Sequence, residues 1–246
     1  MLTHRPMSHT RISQIEIECP TPLVFEPAPD GVTSIEGDIF AYGDLSVVEV
    51  IGWALSATPT PKQSVMRLNA MMHDAGITRV AADLLVDGQP VRVERRVGEP
   101  ASEVSYAAVV SDLGPMASLA GCSDLIRGLS AADYQKVQSL FQTMHRRLSP
   151  RYGGRIVVTR SAVKHVRDLA MPMGEEVLVR LALNWAIETA LRPGLPFLFD
   201  HPTTMLDARS AALVEKHVLA TCGQVIVAVK RPLAHTELRI CPSVAA

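Results

Sequence analysis

Apolar residues between 174 and 191 fall on nearly every side of a helix. Val177, Leu178, Val179, Leu181, Leu183, Trp185, Ile187 and Leu191 leave only a thin polar margin. A surface helix shows one apolar stripe, so this pattern predicts an interior helix. Glu175 and Glu176 suit the positive end of its dipole, and Pro193-Gly194 stops it. The unbroken run Pro196-Phe197-Leu198-Phe199 then ends in Asp200. That predicts a covered parallel strand delivering one acid at its C-terminal edge. Asp207 stands where a helix cap belongs, and Gln224–Val229 predicts a second covered strand.

Upstream the periodicity changes. Ile15 and Ile17 alternate with Glu16 and Glu18, and Val32–Glu36 follows a Pro29-Asp30-Gly31 turn, which predicts strands. Residues 47–55 (VVEVIGWAL) predict a buried helix, and Thr58–Pro61 a turn or linker. Val80, Ala82, Leu84 and Val86, the Asp87-Gly88 turn, then Val91, Val93 and Val97 predict a hairpin over 79–97. Residues 100–130 carry no clear period. Residues 131–148 place Tyr134, Val137, Leu140, Phe141, Met144 and Leu148 at helical spacing, and 155–159 reads as a strand.

Composition narrows the picture only slightly. The 246 residues suit one large α/β domain or two small ones. The 24 basic and 25 acidic residues balance, so whole-molecule charge selects no partner. The first residues lack a signal peptide's apolar run, and no apolar stretch of about eighteen residues predicts a membrane span. Cys19, Cys122, Cys222 and Cys241 are scattered, which suits reduced thiols in a cytoplasm rather than zinc or disulfides.

The order of elements from Met171 to Lys230 resembles the C-terminal half of ABC-type ATPase heads of the SMC, RecF, RecN and SbcC kind. In that family a signature loop (LSGGE) opens a long helix, a Walker B strand ends in Asp-Glu-Pro, a D-loop follows, and the next strand ends in a switch histidine. The matching positions here are Met171-Pro172-Met173-Gly174-Glu175, then Phe197 to Pro202, then Leu206-Asp207, then Val229-Lys230. Residues 37–55 resemble the family's phosphate loop and first helix, with Gly37 opening the loop, Gly43 as its last glycine, Asp44 for the lysine and Leu45 for the Ser/Thr. The fold implied is α/β: a P-loop NTPase, ABC-head-like, with an N-terminal β-rich lobe and no coiled coil. One head is expected over 1–246, with an N-terminal lobe (1–100), a helical and basic insert (101–170) and a C-terminal lobe (171–246).

The chemistry departs from that pattern. A phosphate loop uses inward N–H groups, a lysine for the β/γ-phosphates and a hydroxyl for magnesium. Asp44 in place of the lysine turns attraction into repulsion, about 4 kcal/mol per unit pair at 4 Å and an effective dielectric near 20. Bulky Ile39, Phe40 and Tyr42 crowd the loop, and only a slipped register would let Ser46 supply a metal contact. His201 replaces the glutamate that polarises water, Lys230 the switch histidine, and Pro172 and Met173 the signature serine and glycine. A degenerate nucleotide site is expected at Gly37, Gly43, Asp44, Leu45, Gly174, Asp200, His201, Asp207 and Lys230, with no catalytic residue, no metal and no cofactor, ATP and magnesium being disfavoured. An Asp44–Lys230 or Asp200–Lys230 ion pair is expected to fill it.

From His145 to Arg167 the chain carries Arg146, Arg147, Arg151, Arg155, Arg160, Lys164 and Arg167 with no acid among them. This is a candidate phosphate-backbone surface, or else a solvated helix end and edge strand. SMC and RecF heads bind duplex DNA, so the resemblance implies double-stranded DNA, another head or a second copy as partner. The expectation is a non-hydrolysing DNA- or partner-binding head in DNA repair, genome maintenance or mobile-element defence, CRISPR adaptation included. The alternatives are an atypical ATPase or metal-dependent hydrolase using Asp44, Asp200 and His201, and a purely protein-binding subunit of an active ATPase.

Overall fold

A computed structural model describes residues 9–36, 40, 45–55, 62–99, 104, 106–111, 126–160, 163–165, 167, 171–229 and 238–240. The chain divides into two units that interleave along the sequence. The first comprises Met1–Val109, Gly194–His201 and Thr221–Ala246; the second comprises Val110–Pro193 and Pro202–Ala220.

The first unit holds two sheets. Strands β1 (Thr10–Glu18), β2 (Leu23–Phe25), β4 (Arg79–Val86) and β5 (Gln89–Arg96) form an antiparallel sheet in the order β2-β1-β4-β5. Alternation produces it: Ile15 and Ile17 are buried on one face, while Glu16 and Glu18 meet Arg92 (2.6 Å) and Arg79 (2.7 Å) on the other. The expected hairpin forms, and Asp87 (φ 51°) and Gly88 (φ 78°) adopt the paired positive φ of a tight two-residue turn.

The second sheet runs β11-β3-β10-β9-β6, from β3 (Gly31–Glu36), β6 (Ala108–Ser111), β9 (Phe197–Asp200), β10 (Gln224–Val229) and β11 (Leu238–Ile240). Strands β11, β3, β10 and β9 are mutually parallel. Every residue of β10 is buried, as its unbroken apolar run requires. Helix α1 (Val47–Leu55) touches β4 and β5 of one sheet and β9 and β10 of the other, and all but Glu49 of its residues are buried. It is the helix around which both sheets close. Arg95 ties β5 to it: its guanidinium lies 3.9 Å over the Trp53 ring and donates to the Trp53 carbonyl. Buried Gln224 joins the sheets at their far end. Its Oε1 accepts from Ile12 N (2.7 Å) and its Nε2 donates to the carbonyls of Ile12 (2.8 Å) and Ala28 (2.9 Å). Helix α2 (Lys62–Asp74) completes the elements of this unit.

The second unit is helical, with one small hairpin, β7 (Ile156–Val158) and β8 (Val163–His165). Helix α3 (Ala131–Leu148) packs against α4 (Met173–Leu191) and α5 (Ala208–Leu219). Ser130 caps α3, accepting from Asp133 N. Asp207 caps α5, accepting from the amides of Arg209 and Ser210 (3.0 Å each), as its position predicts. Eleven residues of α4 are buried, the interior helix that its all-round apolar pattern implies. Among the described residues no helix is long and apolar enough to cross a membrane. The expected linker at Thr58–Pro61 lies outside the described residues.

Candidate functional site

In the first unit the parallel strands end together. Asp200 is the last residue of β9, opposite Ala228 of β10. Helix α1 begins beside that edge through a reciprocal cap: Val48 N donates to Ser46 Oγ (3.1 Å), and Ser46 N donates to Glu49 Oε2 (3.2 Å). The Ser46 hydroxyl also hydrogen-bonds the Asp200 carboxylate. The resemblance aligned Leu45 with the hydroxyl residue and Asp44 with the lysine. In the structure the hydroxyl that bonds the strand-end acid is that of Ser46, one residue after Leu45. Leu45 is buried in the apolar core with Phe40, Val47 and Val48.

Asp200 is 4% exposed. Burial pushes its carboxyl above the ordinary range, while the Ser46 hydrogen bond and the charge of His201 pull it back. Its Oδ1 has no hydrogen-bond partner. His201 follows in the left-handed region at φ 44°, held there by donation from its amide to Ala228 O (3.0 Å). His201 Nε2 stands 3.9 Å from Asp200 Oδ1, too far for a hydrogen bond, and His201 Nδ1 is buried without a partner. Gly37, Gly43, Asp44 and Lys230 lie outside the described residues, and with them both expected ion pairs.

These residues fit half of a magnesium–nucleotide site. Ser46 and Asp200 offer a hydroxyl and a carboxylate, the ligands that hard divalent cations take. Residues 37–46 contain no lysine or arginine to meet a triphosphate, and Leu45 and Phe40 are packed into the core.

The other candidates belong to the second unit. Gly174 lies in the first turn of α4, and a side chain there would meet nothing within 4 Å. No close approach requires glycine at that point. Asp207 is the α5 cap, and its bonds to the Ser210 backbone and hydroxyl hold its carboxyl below the usual range. Glu175, in the first turn of α4, is buried. Its Oε1 lies 2.6 Å from His145 Nε2, and its Oε2 accepts from Ser149 Oγ at 2.6 Å. His145 is fully buried and stacks on Phe141 at 5.3 Å. This cluster pins the end of α3 to the start of α4.

The basic residues follow directly from that anchor. Arg146, Arg147, Arg151, Arg155, Arg160, Lys164 and Arg167 are all exposed. Arg146 lies over the turn that follows: a Cβ on Gly153 would stand 3.0 Å from its Cγ. Arg151 reaches over the Tyr152 ring at 5.5 Å. Arg160 lies 5.0 Å over Tyr134 and donates to Leu129 O (3.0 Å). Among the described residues no acid pairs with Arg146, Arg147, Arg151 or Arg155. Sequence reasoning reached Ser46 only through a slipped register, and missed the pairing of His145 and Ser149 with Glu175. Ser46 was legible as the Ser-x-x-Glu signature before an apolar run; the other two depend on Glu175, 30 and 26 residues away.

No family model matches the chain, and no curated protein does. Solved structures do. An SMC head bound to the C-terminal winged-helix domain of ScpA is similar over 91% of both chains, at 15% identity and a TM-score of 0.55. The SMC head domain from Thermotoga maritima is similar over 93% of both, at 15% identity and a TM-score of 0.50. At this identity the likeness establishes the fold alone, that of an SMC head domain.

Proposed function

Proceeding from an SMC-type head fold, we propose that this protein is a non-hydrolysing head that binds duplex DNA through the basic segment of its second unit. The observation that carries the reading is a segment of seven exposed cations, four of them without an acid partner among the described residues. Phosphate backbones are the partners such a segment suits, because neutralising them releases counterions. The reading of lost hydrolysis rests on the absence of any lysine or arginine from residues 37–46 and on His201 after the strand-end acid. Phosphoryl transfer depends on positioning and charge stabilisation, and neither feature supplies them. The setting suggested by the fold is genome maintenance or mobile-element defence, in a cytoplasm.

A duplex titration over a salt series tests this. If Arg146, Arg147, Arg151 and Arg155 each meet a phosphate, log K falls against log salt with a slope near −3.6, from about −0.9 per contact. Reversing Arg146, Arg147 and Arg151 to Glu then lowers affinity at every salt and flattens the slope to about −0.9. A shallow slope unchanged by the triple reversal would refute the DNA reading. A phosphate-release assay tests the other half: turnover of ATP with magnesium would overturn the non-hydrolysing assignment.

A second reading, docking of a partner protein, is favoured by two exposed methionines. Met173 opens α4 at 73% exposure, and Met205 lies in the loop before α5 at 69%. The SMC head similar to this chain was solved with ScpA bound, which makes a protein partner a reasonable counterpart.

A further inference from the structure

Within the basic segment, residues 149–155 form two consecutive tight turns. Tyr152 N donates to Ser149 O (3.2 Å), and Arg155 N donates to Tyr152 O (2.8 Å). Tyr152 therefore closes one turn and opens the next. Gly154 adopts φ 80° at the third place of the second turn, where most side chains are strained. Gly153 packs on the end of α3: a Cβ there would stand 3.3 Å from Arg146 Cα and 3.4 Å from Ser149 O. Ser149 is itself anchored, because its amide donates to His145 O (2.8 Å) and its hydroxyl to buried Glu175 (2.6 Å). The backbone that carries Tyr152 is fixed on both sides before any ligand arrives.

The tyrosine on that turn is half-buried, and Arg151 and Arg155 near it in the chain are exposed. Packing of the turn leaves its polar end unused. Among the described residues its hydroxyl has no hydrogen bond, and the Arg151 guanidinium has no partner but the ring, 5.5 Å from the centroid. That distance is in the outer part of the cation–π range. The other two such pairs among the described residues are closed. Arg95 lies 3.9 Å over Trp53 and donates to its carbonyl. Arg160 donates to Leu129 O, while the Tyr134 hydroxyl beneath it donates to Val158 O (3.0 Å). Arg151 and Tyr152 form the pair with capacity to spare.

A flat ring beside phosphate-binding cations suits one further contact. Every nucleobase has a π-face, and aromatic side chains that bind single strands stack on it. Inside an uninterrupted duplex the faces of each base are covered by its neighbours, so only an unpaired nucleotide reaches such a ring. We propose that Tyr152 stacks an unpaired nucleobase, so that the segment prefers duplex DNA bearing a single-stranded stretch to uninterrupted duplex. The proposal rests on the DNA reading of the same segment. Arg146, Arg147, Arg151 and Arg155 hold phosphates, and the ring adds a base contact that does not select sequence.

Fluorescence anisotropy over a salt series compares three labelled DNAs on the full chain. They are a blunt duplex, the same duplex with a short single-stranded tail of either polarity, and the tailed duplex with its tail abasic. The two tailed DNAs carry the same phosphates, so the difference between them reports bases alone. The intact tail should bind about 5- to 150-fold tighter than the abasic one per stacked base, by a factor that barely changes with salt. Tyr152→Leu should bring that ratio to about one without changing the salt slope. Tyr152→Phe keeps the ring, loses the hydroxyl and should preserve the ratio. Equal affinity for intact and abasic tails in the parent protein, with a steep salt slope, overturns the stacking and leaves the DNA reading standing. A loss in Tyr152→Phe as large as in Tyr152→Leu assigns the contact to the hydroxyl and overturns the stacking as well. Absence of salt-dependent binding to all three DNAs overturns the DNA reading and the stacking together.

Discussion

Glu175 offers the sharpest test of how the second unit is held together. Its carboxylate is buried between His145 and Ser149, with both contacts at 2.6 Å. Glu175→Ala removes the acceptor for both and leaves a hydroxyl and an imidazole nitrogen buried without partners. Each orphan costs about 1–3 kcal/mol, and removing one member of a buried charged cluster typically costs about 3–5 kcal/mol in all. Glu175→Gln keeps the shape and one carbonyl acceptor, so its cost is about 1–2 kcal/mol. The measurement is urea unfolding followed by Trp185, which lies in the same helix as Glu175, in a Trp53→Phe background that silences the other tryptophan. That choice matters because two units need not unfold in one transition. A double-mutant cycle with His145→Ala should return a coupling of about 1–3 kcal/mol, since the two side chains meet directly at 2.6 Å. If Glu175→Ala unfolds within about 0.5 kcal/mol of the parent protein, the cluster is incidental and the reasoning fails.

Two further outcomes follow from other buried polar groups. His217 packs 3.7 Å from the Trp185 ring centroid, and burial, then the charge of Arg147, lowers its pKa from the ordinary 6.5 to about 4. The folded state therefore binds the proton less well than the unfolded state. Its contribution is complete above pH 6.5 and is lost as pH falls toward 4. The full shift corresponds to roughly 3 kcal/mol, and partial exposure screens this to roughly 1–2 kcal/mol. His217→Gln should flatten the melting temperature between pH 6.5 and 4.5; an unchanged pH profile would contradict the assignment. Gln224→Leu strips three hydrogen bonds from Ile12 and Ala28 and should cost about 3 kcal/mol or more, read in the first unit by Trp53 fluorescence. A melting curve like the parent's would show that the two sheets do not depend on that junction.

Much of this architecture is local information. The run 131–148 reads as a helix and is one from Ala131 to Leu148, because capping and apolar spacing agree. Strands β9 and β10 are legible because continuous apolar runs need cover on both faces. Helix α2 follows a Thr-Pro repeat that reads as a break, and its signal is the recurrence of Leu68, Met71 and Met72 at helical intervals. The phosphate-loop alignment followed glycines, which mark conformational freedom. The cap of α1 is equally local, since Ser46 and Glu49 form a Ser-x-x-Glu signature before an apolar run. The His145–Glu175 contact and the pairing of β3 between β10 and β11 join residues far apart in sequence. No periodicity encodes such partnerships.

The interleaving of the two units has a consequence for how the molecule is made. Strand β10 is the middle of the five-stranded sheet, yet it follows all of the second unit in the chain. Until Gln224–Val229 is synthesised, β3 and β9 have no neighbour to bridge them, whereas α3, α4 and α5 are already complete. The helical unit can therefore mature on the ribosome, while the sheet that carries Asp200 waits with apolar strands uncovered. That interval is when a nascent copy is most exposed to aggregation and most in need of a chaperone.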